Sequence, residues 1–496
     1  MKINLDNCVK QIKKKLHNNS DLKERNVRFF SSSLCILYFA DLVDTQLTND
    51  NIVRPILEYK GNLNGSIMST LTNFVVSDGE IELCPSIDKA IQKMLKGFVA
   101  IVVDGESQIL CVNAEKIVVR PVSIPPNSTV IKGPREGFNE SLKYNLSLTR
   151  KRLATDKLVI KSLTVGTLTQ TQVAILYIDG IADKKIVNEI TRRIKSIDID
   201  GVIDSSYLAA FLQRKPNSLF KQVGDTEKPD ILCAKLLEGR IGVIVDGSPI
   251  ALTLPFILLE DLQSSDDYYN QHIRISFVRI LRLVGIILAI LLPGIYVALQ
   301  LYHYKIIPLK FLITIMNTTQ GIPFTPFSEI VFIVLLFEIL YEANLRMPQY
   351  LGMALSIVGA LILGDTAVNA GLVSPPAVMI VALSGLTFYV VPNQSAQFSM
   401  LRLMFILFGA VLGLFGIILG VLAVLSYLVS FDSYSSAYLA PLSPYVESDK
   451  KDFLFKQSIL NMRKRPESIK NNRANLVRMK TRDTTNLKKR GNDEDK

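Results

Sequence analysis

The sequence predicts a two-lobed α/β domain made by internal duplication, then an α-helical multi-pass membrane domain, then a disordered basic tail. Three observations predict this. Short apolar bursts in the first half recur at a nearly constant offset. Long apolar runs fill residues 278–430, and the mean hydropathy of +0.28 is high for a chain of 496 residues. From Lys450 to Lys496 apolar residues thin out, and 15 Lys/Arg stand against 6 Asp/Glu. Together they exclude a single soluble globule, a wholly disordered chain and a disulfide or collagenous scaffold.

Residues 1–25 read as a basic N-terminal extension carrying Lys13, Lys14 and Lys15. No apolar signal-peptide core follows, so this half is expected to stay on the cytoplasmic side. The five cysteines are odd in number, widely spaced and free of any C-x-x-C pair, which reads as buried reduced thiols. The three histidines lie far from them, which argues against a metal site.

The duplication sets the first two lobes, 26–125 and 165–265. Cys35–Asp44 matches Ala174–Asp183 at an offset of 139, and Gly97–Gly105 matches Gly239–Gly247 at an offset of 142. Two matches at nearly equal spacing indicate a repeated unit. Each unit opens with an apolar strand and passes into a helical pattern, Asp50–Tyr59 in one and Lys184–Lys195 in the other. Each then reaches an Asp-Gly pair, Asp104-Gly105 and Asp246-Gly247, between apolar runs. That pair is a hairpin signal because the turn needs positive φ. Between the lobes, 126–164 reads as a linker containing a helix over Asn139–Arg152. Its Arg150-Lys151-Arg152 cluster reads as a solvated helix end whose cations favour the dipole, with an anion site as the alternative.

Residues 274–432 form the expected transmembrane domain of four to six helices. Val278–Leu301, Phe327–Leu345 and Arg402–Ser430 are each long enough to span, and Leu351–Val391 is long enough for two. Ile306–Met316 is short and interrupted by Lys310, so it reads as interfacial or re-entrant. Arg274, Arg279 and Arg282 flank the first span and, with the basic tail 446–496, place both ends of this domain inside. Five spans contradict two ends on one side, and the spacing leaves that conflict open.

The intramembrane acids carry the functional signal. Phe327–Leu345 holds Glu329, Glu338 and Glu342, and a carboxylate at the centre of a lipid-facing helix costs about 2.5–3.5 kcal/mol. Glu338 and Glu342 share a face at i,i+4, and Arg346 stands four residues beyond Glu342 as its ion-pair partner. Asp365 and Asn369 are also i,i+4, in a Gly-rich stretch ahead of Pro375-Pro376. Glu338, Glu342, Asp365 and Asn369 are therefore the candidate ion path or gate, against a structural Glu342–Arg346 pair and an ordinary interhelical loop. Gly409, Gly413, Gly416 and Gly420 make two G-x-x-x-G steps, read as a helix-packing face within the subunit or between copies. No catalytic constellation, cofactor loop or nucleic-acid-binding motif stands out, so an enzyme is not expected.

Four motifs together resemble the A subunit of the GerA-type spore germination receptor. They are Gly133–Arg152, Lys228–Pro249, Phe337–Pro348 and Ile357–Pro376. Order and spacing agree over roughly residues 26–445. The resemblance implies a subunit of a nutrient receptor in the spore inner membrane. It implies a transporter-like B subunit and a lipoprotein C subunit as partners, a homo-oligomer in the lipid membrane, and cation release when nutrient binds. A membrane-anchored signalling scaffold and an ion-coupled small-molecule transporter component are the alternatives.

Overall fold

The computed structural model describes residues 4–63, 66–76, 80–116, 132–346, 359, 362–388, 391, 394–458, 462 and 464–473. The first lobe contains helix α1 (Leu5–Lys15), strands β1 (Leu22–Phe29), β2 (Ser32–Phe39) and β3 (Ile81–Cys84), helix α2 (Ile87–Met94), and strands β4 (Phe98–Val103) and β5 (Ile109–Asn113). Its antiparallel sheet runs in the order β1-β2-β4-β5-β3. The second lobe has strands β6 (Leu158–Val165), β7 (Thr171–Ile178), β8 (Gly224–Thr226), β9 (Ile241–Val245) and β10 (Ala251–Leu254), in the order β6-β7-β9-β10-β8. The two orders are the same. Even the register repeats: Ile36 faces Ile101 in one sheet, and Ile175 faces Val243 in the other. These pairs are related by the two sequence offsets. Gly105 and Gly247 take φ of 80° and 87° in the β4–β5 and β9–β10 turns.

The central strands are apolar throughout because both faces are covered. On β2, Cys35, Leu37 and Phe39 meet α1 and α2, while Leu34 and Ile36 meet Ile52, Ile56 and Leu71 on the opposite face. The second sheet repeats this with helices α3 (Leu142–Arg152), α4 (Lys184–Lys195), α5 (Ser205–Leu212) and α6 (Pro229–Glu238). All five cysteines are buried and free.

Three sequence expectations change here. Part of the N-terminal extension is core: Asn4 caps α1 by accepting from Asn7 N–H, and Cys8, Val9, Ile12 and Leu16 pack under the first sheet. The helix is strongly amphipathic, and its charged face dominates composition. The lobe boundary also shifts, since β6 begins inside the expected linker. Finally, Arg150 is not a solvated helix end. It is fully buried, 2.5 Å from Asp21 and over the Phe39 ring at 4.3 Å, so α3 bolts one lobe to the other. Asn19 adds to this seam, donating to Leu158 O (2.9 Å) and accepting from Ile160 N (2.7 Å).

The second half holds α7 (His272–Leu301), α8 (Leu309–Thr319), α9 (Pro326–Arg346), α10 (Pro375–Phe388) and a helical stretch α11 (Ser395–Val429). Of the expected Leu351–Val391 double span, residues 351–358, 360–361 and 389–390 lie outside the described residues. Both α7 and α11 are long and apolar enough to cross a membrane. However, α11 is not one rod. Gly413 takes φ 61°, ψ −147°, and a Cβ on Gly420 would sit 2.6 Å from the Phe408 ring and 2.8 Å from the Phe405 ring. In a straight helix residues 408 and 420 would be about 18 Å apart along the axis. The chain therefore turns back at Gly413 as two antiparallel arms.

The first arm runs beside α7 in the same direction. Phe398 clusters with Leu262, Leu283 and Ile286 near the lobes, and Tyr302 donates to Ala410 O (2.8 Å) at the far end. The second arm returns to the lobes, where Phe220 packs with Leu428 and Phe431. This fold-back corrects the reading of Arg402–Ser430 as one span, and it supplies the return leg that an odd count lacked.

After α11 the chain makes a small hairpin of β11 (Asp432–Ser433) and β12 (Ser436–Ala437) against the second lobe. Tyr434 donates to Leu212 O (2.7 Å), Tyr438 donates to Lys221 O (2.6 Å), and Phe256 N donates to Ser433 Oγ (3.0 Å). The expected basic tail is likewise folded through residue 473 wherever it is described. Ile469 is buried, Asp449 accepts from Glu467 N and Ser468 N, and Asn472 N donates to Ile181 O (2.8 Å). Net charge reports composition and is blind to such single apolar and polar anchors. Residues 474–496 lie outside the described residues.

Candidate functional site

Glu338 sits past the middle of α9, on the side turned toward the first arm of α11. Ser399 Oγ donates to its Oε1 (2.6 Å), and Arg402 Nη2 donates to its Oε2 (3.0 Å). Arg402 is only 1% exposed, and its guanidinium lies 4.5 Å from the centre of the Phe388 ring on α10. One ion pair thus joins three helices. Arg402 Nε has no hydrogen-bond partner, so Glu338 is the charge that compensates this cation. Glu338 is half-exposed, but removing it leaves the buried Arg402 cation uncompensated. Sequence reasoning missed Arg402 as a functional residue. The available signal was a strong base inside the last apolar run, which has to find an acid.

Glu342 and Arg346 pair as the spacing predicts, at 2.8 and 2.5 Å, but they are 56% and 79% exposed. Glu338 and Glu342 share a helix face without sharing a site, because one reaches across to α11 and the other along its own helix. Asp365 accepts from Asn369 Nδ2 (2.7 Å), and both are exposed. No contact among the described residues brings this pair to Glu338 or Glu342.

The four glycines do three different things. A Cβ on Gly409 would lie 2.4 Å from Gly294 O, so this glycine lets α11 touch α7 backbone to backbone. Gly416 and Gly420 allow the two arms of α11 to close on Phe408 and Phe405. Gly413 is the turn itself, in a backbone region that is nearly glycine-only. The single packing face expected from the two G-x-x-x-G steps is thus replaced by two contacts and a bend, all within one subunit.

Glu329 was noted in the sequence without being given a role. It is 1% exposed, and its Oε1 accepts from Ser374 N (2.5 Å) at the start of α10.

A second polar centre lies where α7 leaves the lobes. Arg279 is fully buried and donates to Asp267 Oδ2 (2.8 Å), Asp452 Oδ1 (3.0 Å), Asp452 O (2.9 Å) and Phe453 O (2.7 Å). Arg282 donates to the same Asp267 oxygen (2.9 Å) and to Leu262 O (2.8 Å). Tyr268 donates to Asp452 Oδ2 (2.7 Å), and Lys456 donates to Asp267 O. Burial, then the Asp452 carboxylate, push the Tyr268 hydroxyl far above its ordinary range, so it stays a donor. Burial lowers Lys456. Here the second lobe, the first long helix and the chain after the last helix meet at one guanidinium. Periodicity marked Arg279 and Arg282 only as flanking charges.

The Bacillus/Clostridium GerA spore germination protein family model matches residues 10–468. Spore germination protein KA of Bacillus subtilis (strain 168) is 32% identical over 466 residues, covering 93% of this chain and 86% of the relative. Spore germination protein GerQA of Bacillus cereus is 34% identical over 467 residues, 93% of each chain. Among solved structures, the N-terminal domain of the A subunit of the Bacillus megaterium spore germinant receptor GerK3 aligns with 51% of this chain and 96% of its own. The identity is 29% and the TM-score 0.41.

Proposed function

The chain belongs to the Bacillus/Clostridium GerA spore germination protein family, and from that premise we propose that it works as the A subunit of a germinant receptor in the spore membrane. In this reading the lobes and the folded C-terminal segment lie on the cytoplasmic side, with Arg274 and the basic residues beyond Lys450 holding that orientation. The helical half, from α7 to the two arms of α11, sits in the bilayer. A transporter-like B subunit and a lipoprotein C subunit complete the receptor, copies of the chain assemble together, and the protein carries out no chemical step of its own.

The observation that carries the mechanism is the Arg279 joint. A shift of the second lobe against α7 must be felt at Asp267 and at Asp452 together, so the first helix and the segment after the last one move as a unit. The Glu338–Arg402 pair lies farther along the same bundle and is the element such a movement would separate. Opened, it presents a carboxylate to a passing cation. Closed, it neutralises that carboxylate.

The test is nutrient-triggered cation release from spores carrying Glu338→Gln or Glu342→Gln. Glu338→Gln should change release while the receptor still assembles, and Glu342→Gln, whose pair is exposed and local, should leave it near normal. Normal release with Glu338→Gln in an assembled receptor would remove that residue from the path.

A further inference from the structure

Of the four buried carboxylates among the described residues, Asp21 and Asp267 form ion pairs, and Asp41 and Glu329 do not. Asp267 faces Arg279 and Arg282, Glu260 faces Arg240 and Lys235, and Asp21 faces Arg150. Glu329 makes no ion pair among the described residues, although it is as buried as any of them. Ile330, Ile333, Val297, Val373 and Ala377 form one apolar cluster at this level of the bundle, and Ser374 N donates to Glu329 Oε1. An ionised carboxylate in such a shell costs several kcal/mol unless something cancels its charge.

The neighbouring polar groups are unfinished in the same way. Tyr296, on α7 one turn before Gln300, is 6% exposed and packs in one cluster with Ile330 and Val373, the chain neighbours of Glu329 and Ser374. Its hydroxyl is buried with no hydrogen-bond partner of good geometry, and so is Nε2 of Gln300. Rotating the Gln300 amide by half a turn would exchange that nitrogen for an oxygen, since the two ends are assigned only by their hydrogen bonds. The place therefore offers a carboxylate, two hydroxyls and an amide oxygen, a hard-oxygen donor set suited to an alkali or alkaline-earth ion. A single charge of deficit favours the monovalent ion.

We propose that Glu329, Tyr296, Ser374 and Gln300 form a buried site for one alkali-metal cation, at the meeting point of α7, α9 and the start of α10. The ion is resident and structural. It ties three helices at the end of the bundle remote from the lobes, and it is separate from the Glu338–Arg402 pair proposed above. It stands whether or not the chain conducts ions.

The experiment uses the full chain in lipid nanodiscs at fixed pH and ionic strength. Sodium chloride or potassium chloride replaces N-methylglucamine chloride stepwise, and thermal unfolding is followed by circular dichroism. One of the two alkali ions should raise Tm along a saturable curve. Glu329→Gln should fold, lose the ion dependence and match or exceed the wild type in the absence of alkali ions. Tyr296→Phe should keep the dependence but move its midpoint to higher concentration by roughly tenfold, as loss of one ligand or its support does at ion sites. Equal Tm in all three salts would overturn the site. So would an ion dependence retained by Glu329→Gln. A wild-type Tm that follows pH and ignores the salt would identify a proton as the compensating charge and would equally overturn it.

Discussion

Replacing Arg279 by Gln removes four charge-assisted hydrogen bonds at once, to Asp267, to the Asp452 carboxylate and to the Asp452 and Phe453 carbonyls. Breaking a buried pair by deleting one partner costs about 3–5 kcal/mol. Arg282 still serves Asp267, so the lower end of that range applies, about 3 kcal/mol. The residues after α11 have fewer other ties to α7, the nearest being Ser276 with Lys456. Most of the loss should therefore appear as local opening of that segment. At 1.4 kcal/mol per factor of ten, exchange of its protected amides should accelerate by about 100-fold. Hydrogen exchange read by mass spectrometry on the full chain in nanodiscs measures this directly over residues 446–458. Arg274→Gln is the control, since Arg274 is exposed one turn before Arg279 and should change exchange little. Unchanged protection in Arg279→Gln would show that the joint does not hold the segment, and the coupling route would fall with it.

Other expectations follow from the same geometry. Spin labels at Met400 and Leu425, both exposed, should be under about 20 Å apart, as packed arms require; about 37 Å, the value for a straight helix, would refute the turn at Gly413. Gly413→Ala places a Cβ 2.9 Å from the His303 ring in a glycine-only conformation, which should cost about 1–3 kcal/mol and lower the unfolding temperature of the membrane half. Ile12→Ala should destabilise the first lobe by about 2–5 kcal/mol in a thermal melt, although it lies in a stretch that reads as a basic extension. Burial, then the nearby Asp21 charge, raise Asp41 from 3.8 to about 7, against the opposing pull of Arg150, Lys143 and Lys116. The folded state then holds a proton the unfolded chain has lost. Asp41's contribution is full below about pH 4 and lost as pH rises toward 7, by at most about 4 kcal/mol. Asp41→Asn should flatten that slope, and an unchanged pH profile of unfolding would count against it.

Relations that depend on nearby residues were legible in the sequence. Glu342 found Arg346 and Asp365 found Asn369, because four residues of helix bring side chains together whatever lies around them. The Asp-Gly turns formed because the dipeptide itself prefers their backbone angles. The duplication was visible too, since a repeated strand keeps its apolar pattern even when its partner is unknown.

Relations between distant residues were not legible. Spacing cannot say that Glu338 turns to Arg402, that Arg150 crosses to Asp21, or that Arg279 gathers Asp267 and Asp452. Each choice depends on which helices and lobes lie side by side. Gly413 shows the limit most clearly. A glycine that lets two helices touch and a glycine that bends one back on itself are the same letter at the same spacing. The sequence by itself determined two duplicated α/β lobes, an apolar helical half and a set of charges that apolar surroundings would force into partnership. Tertiary structure alone decided the partners, because burial makes each charge accept whichever opposite group packing brings within reach.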